Sequence, residues 1–376
     1  MKKVLLCANI TQHIKAFHVP YMKWFKEQGY EVHVATGDAE GVEYCDVKHV
    51  ITMSRSPWNP KNVFGYRQLK SIIDRERFSL IDCHTPMGGV MARLAAREAR
   101  RTGTKVIYTA HGFHFWTGAP LLNWLFYYPV EKWLSRHADC LITICLEDYT
   151  RAVRNHFQTR EICKIDGIGV ELGRFKPIGN LEKKELRKRF GFDENDFILV
   201  YVAEISHRKN QEFLLQIAHT LRKEMADLKV LIIGGDSLNG KCQALASKLG
   251  LDKCVTFFGR RDDVNRLLGL GDIYVSTSRQ EGQGINIIEG MATGLPVCAT
   301  KIRGHLDLIK DGENGCLVKL GNVTEFAQRI STLRSNRLVA DRIVQNAFSQ
   351  LGRYEKARIL NDLSAIYRKY LCNSHD

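Results

Sequence analysis

Short aliphatic and β-branched runs recur along this chain, separated by longer stretches with helical spacing, and the series plays through twice. The first set is KVLLCAN, EVHVAT, HVITM, LIDCHT, KVIYTAH and CLITIC, with a helical segment through Trp24 and Phe25 after the first run. The second is FILVYVAE, KVLIIGG, VTFFG, IYVSTS, PVCAT and GCLV. Runs that are apolar throughout, rather than alternating, belong to strands buried on both faces, and strands joined through helices are parallel. The pattern predicts an α/β chain with two doubly wound parallel sheets in tandem.

Length supports the division, since 376 residues exceed the roughly 100–200 of an ordinary domain. A polar, charged passage from about Gly173 to Asp196 contains Pro177, Gly179 and the run Leu181 to Arg189. It marks the boundary between a first domain, 1–176, and a second, 177–350. The remainder, 351–376, holds leucines, an isoleucine and tyrosines at helical spacing from Tyr354 to Leu371. It reads as a closing amphipathic helix that packs back toward the first domain.

A hydrophobic fraction of 44% and a charged fraction of 26% are those of a soluble globular chain, and no run approaches the ~18–20 apolar residues of a membrane span. The start, MKKVLLCANI, has lysines before an apolar run, but Thr11, Gln12 and His13 follow where a secretory signal would carry small residues. It reads as a first buried strand. The eleven cysteines show no C-x-x-C pair, and Cys7, Cys83, Cys140 and Cys298 sit in apolar runs, as reduced core residues do. The net charge of +14 points to an anionic partner without choosing among nucleotide sugars, lipid diphosphates, membrane surfaces and nucleic acid. A solvated basic surface fits it too.

Ligands of open α/β sheets bind beyond the carboxyl ends of the strands. After the run IYVSTS come Arg279, Gln280 and then Glu281-Gly-Gln-Gly-Ile-Asn-Ile-Ile-Glu289. Gly282 and Gly284 let backbone N–H groups turn toward a ligand, and a helix starting just beyond them favours a diphosphate at its N-terminus. Glu281 lies in the loop and Glu289 about one turn into the helix. Carboxylates there suit pairs of sugar hydroxyls. A solvated loop residue and an ordinary helix-surface charge fit a lone pair of glutamates at this spacing equally well.

The segment resembles the E-x7-E signature of retaining GT-B glycosyltransferases of family 4, usually E-G-F-G-L-x-x-x-E followed by A-x-G-x-P-V. Here the continuation is Ala292-Thr-Gly294-Leu-Pro296-Val297. Gln283 replaces the common aromatic and Ile285 the leucine, and neither change removes a functional group. The resemblance extends over nearly the whole chain and implies a GT-B fold, two Rossmann-like domains facing across a cleft. It places Lys209 on the donor diphosphate. Ala203-Glu204 stands where the family often has Gly-Arg, and Arg208 is the replacement for the missing cation. Arg260, with Arg261 beside it, falls near the nucleotide base, while Gly304 and Asp311 to Gly315 match recurrent turns. By the same resemblance Glu281 orients the donor sugar, Glu289 holds the ribose, and the donor loop runs through Gly282, Gln283, Gly284, Ile285 and Asn286.

In the first half, His111-Gly-Phe-His114-Phe-Trp116 follows the strand KVIYTAH. The family carries a histidine-glycine pair here, which assigns His111 to the donor sugar and its leaving phosphate. The loop after the first strand lacks the family's glycine pair but carries His13 and His18, expected with His114 to contact the acceptor. His111 and His114 have no carboxylate or cysteine at ligand spacing beside them, so no metal site and no obligate metal cofactor is expected. These motifs, with Leu-Asn-Trp-Leu-Phe-Tyr-Tyr-Pro129, resemble the capsule and exopolysaccharide branch in particular. The aromatic stretch from Phe113 to Trp133, with Lys132 and Arg136, suits a membrane interface or a core helix with its rings turned inward.

The resemblance implies a retaining transfer of a hexose or N-acetylhexosamine from a uridine-diphosphate sugar to an undecaprenyl-diphosphate-linked saccharide. The enzyme is expected in the cytoplasm, peripheral to the inner face of the cell membrane and its anionic surface. No carboxylate nucleophile can be named, which favours same-face attack assisted by the leaving phosphate. The competing readings are a sugar-nucleotide epimerase or hydrolase of the same fold, and a non-catalytic protein that binds anionic ligands. No nucleic-acid module is present and no nucleic-acid partner is expected.

Overall fold

A computed structural model describes residues 1–372. They divide into two compact units, one of residues 1–168 with 357–372 and the other of 169–356. The first unit holds seven parallel strands: β1 (Lys3–Cys7), β2 (Glu31–Thr36), β3 (Val47–Val50), β4 (Leu80–His84), β5 (Lys105–Ala110), β6 (Cys140–Thr143) and β7 (Glu161–Lys164). Their order across the sheet is β3-β2-β1-β4-β5-β6-β7. The second holds six: β8 (Phe197–Val202), β9 (Leu228–Ile233), β10 (Val255–Gly259), β11 (Ile273–Ser276), β12 (Val297–Thr300) and β13 (Cys316–Val318), in the order β10-β9-β8-β11-β12-β13.

The apolar runs become strands because both faces of each sheet are covered. Leu5 and Cys7 face one core of the first unit while Val4 and Leu6 face another. All five residues of β4 are buried. At about 25 cal/mol per Å² of apolar surface, this double burial is what makes continuous Val, Ile and Leu runs stable as strands and not as exposed ribbons.

Each strand order reverses once, between β1 and β4 and between β8 and β11. A reversal opens a crevice at the carboxyl ends, because the flanking connections leave in opposite directions. In the second unit the loops that meet there are 203–210 and 277–284. In the first they are the segment after Cys7 and the turn after His84. The topology thus selects four short segments out of the whole chain.

The helix Lys356–Cys372 packs on the sheet of the first unit. Its Tyr367 is fully buried, lies 4.8 Å from the Phe25 ring and donates its hydroxyl to Asp82 of β4 at 2.5 Å. Among the described residues no disulfide is present and most cysteines are buried. No helix among them is long and apolar enough to cross a membrane.

Candidate active site

At the reversal in the second unit, Glu281 is buried and accepts from three groups. Lys209 Nζ lies 2.5 Å from Oε1, Arg208 2.7 Å from Oε2, and Ser278 Oγ donates to Oε1 at 2.7 Å. Tyr201, inside β8, shares a 2.8 Å hydrogen bond with Ser278 and donates to the Lys209 carbonyl at 2.9 Å. The end of the first strand of the sheet therefore fixes both the cation and the carboxylate. Burial alone pushes Glu281 up, but Lys209 and Arg208 outweigh it and hold the carboxyl below its usual range. For Lys209, burial wins and pulls the ammonium down despite Glu281.

The backbone around Glu281 leaves no slack. A Cβ on Gly304 would sit 2.8 Å from Glu281 Cβ and 2.9 Å from its carbonyl oxygen, so this glycine is needed for space and not only for a turn. Arg303 donates to the Glu281 carbonyl at 3.3 Å. Asn210, in the left-handed conformation at φ +57°, precedes the helix Gln211–Leu221 and bonds the Thr277 carbonyl at 3.2 Å.

Gly284 caps the helix Ile285–Ala292, which opens with Ile285 and Asn286. The Asn286 side chain bonds the Val202 carbonyl at the end of β8, at 2.9 Å, which leaves its backbone amide as the group that can meet a phosphate. Gly282 and Gln283 are half-buried between them. Glu289, the fifth residue of the helix, is partly open to solvent, yet the protein around it removes enough water to push its carboxyl up to about 7. Arg174 and Lys209 oppose that rise, so the Lys209 charge acts on both glutamates. Arg260 is exposed past β10, and Arg261 is tied to Asp263 at 2.7 Å.

The reversal in the first unit gathers histidines. His13 Nε2 lies 3.3 Å from the Nε2 atoms of both His111 and His18, and His111 Nε2 lies 3.5 Å from His84 Nδ1. His111 therefore turns Nε2 into this group, leaving Nδ1 as the nitrogen for a substrate. His114 is not part of it. Its ring stacks on Tyr127 at 4.8 Å, and its carbonyl accepts from Asn123 at 2.8 Å. His84 escaped the sequence reading, since it ends an apolar strand run; its signal was position, at the carboxyl end of the strand beside the reversal. Thr85 follows at φ +62° and ψ 153°, a costly conformation for a β-branched residue, held by hydrogen bonds between its hydroxyl and Asn9.

His13, His111 and His114 open onto a cavity of about 820 Å³ whose lining also includes Asn9, Trp58 and Phe126, while His18 and His84 are buried behind it. One wall is the helix Leu121–Ser135, of which only Leu134 and Ser135 are buried. Its Trp124 and Tyr128 pack inward beside Phe115, while Phe126, Tyr127 and Trp133 are turned outward. Phe126 is 52% exposed and Trp58 78%, with their rings 6.0 Å apart. Leu121, Leu122 and Leu125 extend the same apolar surface, and Arg136 lies 5.8 Å over the Trp133 ring. An exposed run of this size is unusual for a surface that meets only water.

Residues 182–350 match the family model described as glycosyl transferases group 1, and residues 21–163 match glycosyltransferase family 4. The EpsD protein of Bacillus subtilis strain 168, described as a glycosyltransferase, is 47% identical over 98% of this chain and 97% of its own length. The UDP-Gal:alpha-D-GlcNAc-diphosphoundecaprenol alpha-1,3-galactosyltransferase of Escherichia coli is 27% identical over 80% of this chain and 81% of its own. Among solved structures, Alr3699/HepE of Anabaena in complex with UDP superposes with a TM-score of 0.81 at 19% identity, covering 98% of this chain and all of that one.

Proposed function

The chain belongs to the group 1/family 4 glycosyltransferases of GT-B fold, and from that premise we propose that it moves a hexose or N-acetylhexosamine from a UDP-sugar to a polyprenyl-diphosphate-linked saccharide. The observation that carries this reading is the buried Glu281 between Lys209 and Arg208, in the same β11–β12 connection as the raised Glu289. Breaking the bond between an anomeric carbon and a diphosphate leaves negative charge on the leaving group. Lys209, Arg208 and the amides of Ile285 and Asn286 meet that charge without a metal ion, and loss of one such donor typically costs about 2.7–4 kcal/mol of transition-state stabilisation. Glu281 orients these cations and the donor sugar, and Glu289 accepts from the ribose hydroxyls. His111 positions the sugar and its phosphate, with configuration retained through same-face attack.

The uridine assignment is supported by the relative that uses UDP-galactose and by the UDP complex of the structural neighbour. The diphosphoundecaprenol named for the same relative, and the outward aromatic face beside the cavity, support a lipid-linked acceptor presented at a membrane. His13 and His114, which line the cavity, contact that acceptor, whereas His18, expected beside them, is buried behind the lining and does not reach it. The surface is basic, and the enzyme works from the cytoplasmic face of the membrane in building an exopolysaccharide or capsule. Calorimetric titration with UDP, GDP and ADP in the absence of metal tests the donor half. UDP binds selectively, and Glu289→Ala weakens it; binding of none of the three would overturn the reading.

A further inference from the structure

We propose that His13, His18, His84 and His111 form a binding site for a divalent cation of the zinc class. The four imidazoles come from separate chain positions, and their facing nitrogens all lie within 4.8 Å of one another. No two of them adjoin in sequence, which is why spacing alone gave no sign of it.

Hydrogen bonding does not account for the convergence. A neutral imidazole nitrogen has either one in-plane proton or one in-plane lone pair. His13 Nε2 must serve both His18 and His111, and His111 Nε2 must serve both His13 and His84. Each central nitrogen is thus shared between two contacts that it can make well only once. His18 and His84 are buried and their rings stack at 3.7 Å, so one of the two turns slightly when all four nitrogens close on an ion; neutral imidazoles are the form a metal ion binds.

The distances fit. Zinc–nitrogen bonds of about 2.0–2.1 Å in a tetrahedron place the ligand atoms about 3.3–3.4 Å apart, against the observed contacts of 3.3, 3.3 and 3.5 Å. Bringing in the widest separation requires movement of no more than about 1.5 Å.

The ring behind the fourth ligand is also prepared. His84 presents Nδ1 to the group and Nε2 to Asp82, 3.0 Å away. That angle is poor for a hydrogen bond, and no other partner reaches this buried Nε2, so the carboxylate is its only anchor. Asp82 is held in turn by Tyr367. A carboxylate behind a ligating imidazole fixes its tautomer and makes it more basic. An all-imidazole set selects zinc, cobalt, nickel or copper over magnesium and calcium, which take oxygen ligands. His13 and His111 also line the cavity, so the ion sits in its wall. The donor diphosphate, which Lys209 and Arg208 of the other unit meet, does not call on it.

The test titrates the tag-free, full-length protein with Co²⁺ alone after chelator treatment. One ion per chain is expected, with the intense visible bands of tetrahedral cobalt, displaced by Zn²⁺. His13→Gln should weaken binding at least tenfold, and Asp82→Asn, which removes no ligand, by about 10–100-fold. X-ray absorption of the zinc-loaded wild type should show a shell of imidazole nitrogens, and it decides alone if the variants misfold. No uptake by wild type, a shell containing oxygen only, or unchanged affinity in a folded His13→Gln/His84→Gln variant overturns the site. None of these readouts depends on transferase activity or nucleotide binding.

Discussion

If Glu289 accepts from a pair of ribose hydroxyls on both of its oxygens, it does so in the ionised form, which binds them more strongly than the acid, and donor affinity then follows its protonation. Its carboxyl is pushed up to about 7 by desolvation. With that midpoint, roughly nine-tenths of the protein is competent at pH 8 and roughly one-tenth at pH 6. Affinity for the donor therefore falls about tenfold, ~1.4 kcal/mol, between pH 8 and pH 6. Glu281 is held below its usual range and His13 lies down at about 3, so neither adds to the slope. The ligand should be an intact UDP-sugar, because free UDP has a terminal phosphate that titrates in the same window. Calorimetry at several pH values on wild type and Glu289→Gln checks the reasoning. Wild type weakens toward pH 6, while the variant binds weakly and evenly throughout. A flat wild-type profile, or an equal slope in both proteins, would show that the ribose is not read by this carboxylate.

The same raised value has a consequence for stability. Between pH 4.5 and about 7 the native state holds a proton that the unfolded chain has released, so Glu289 costs stability as pH rises through that window. Glu289→Gln should raise the unfolding free energy relative to wild type by about 3 kcal/mol at pH 8 and by little at pH 4, measured by urea denaturation. Glu281→Ala leaves Lys209 buried beside Arg208 without its carboxylate and should lower stability by about 3–5 kcal/mol; Glu281→Gln, which keeps a hydrogen-bond acceptor, should cost less. Gly304→Ala forces a methyl against Glu281 and should cost about 1–3 kcal/mol in chemical denaturation while weakening UDP binding; an unaffected variant would refute the packing argument. Trp58→Ser/Phe126→Ser should reduce flotation with anionic liposomes while leaving UDP binding intact, and equal flotation would remove the membrane role of that face.

Eleven of the twelve apolar runs legible in the sequence became strands over most of their length, while HVITM meets the edge strand Val47–Val50 only at His49 and Val50; in the central strands, burial on both faces writes itself as uninterrupted Val, Ile and Leu. The strand Glu161–Lys164 went unseen. It is short, sits at the sheet edge and has only two apolar residues, Ile162 and Cys163, between two charged ones, so half the usual signal is missing. The donor loop was legible because its glycines and glutamates are contiguous, and the topology then places Lys209 opposite them. Ser278, Tyr201 and the space demanded at Gly304 were not legible, since each acts through a neighbour distant in sequence. His84 belongs with these, hidden at the end of a core strand. Composition left two directions open for the aromatic stretch, and the packing uses both, with Trp124 and Tyr128 turned inward and Phe126, Tyr127 and Trp133 outward.

The measurement closest to the central claim is transfer itself. The protein is incubated with a panel of UDP-sugars and a polyprenyl-diphosphate-linked saccharide, and the acceptor's mass is followed together with released UDP. The expected result is an acceptor heavier by one sugar residue, one UDP formed per transfer, a linkage of the donor's own anomeric configuration, and loss of all three with Lys209→Ala. Complete conversion or hydrolysis of the donor with the acceptor left out, and no sugar added when it is present, would contradict the account.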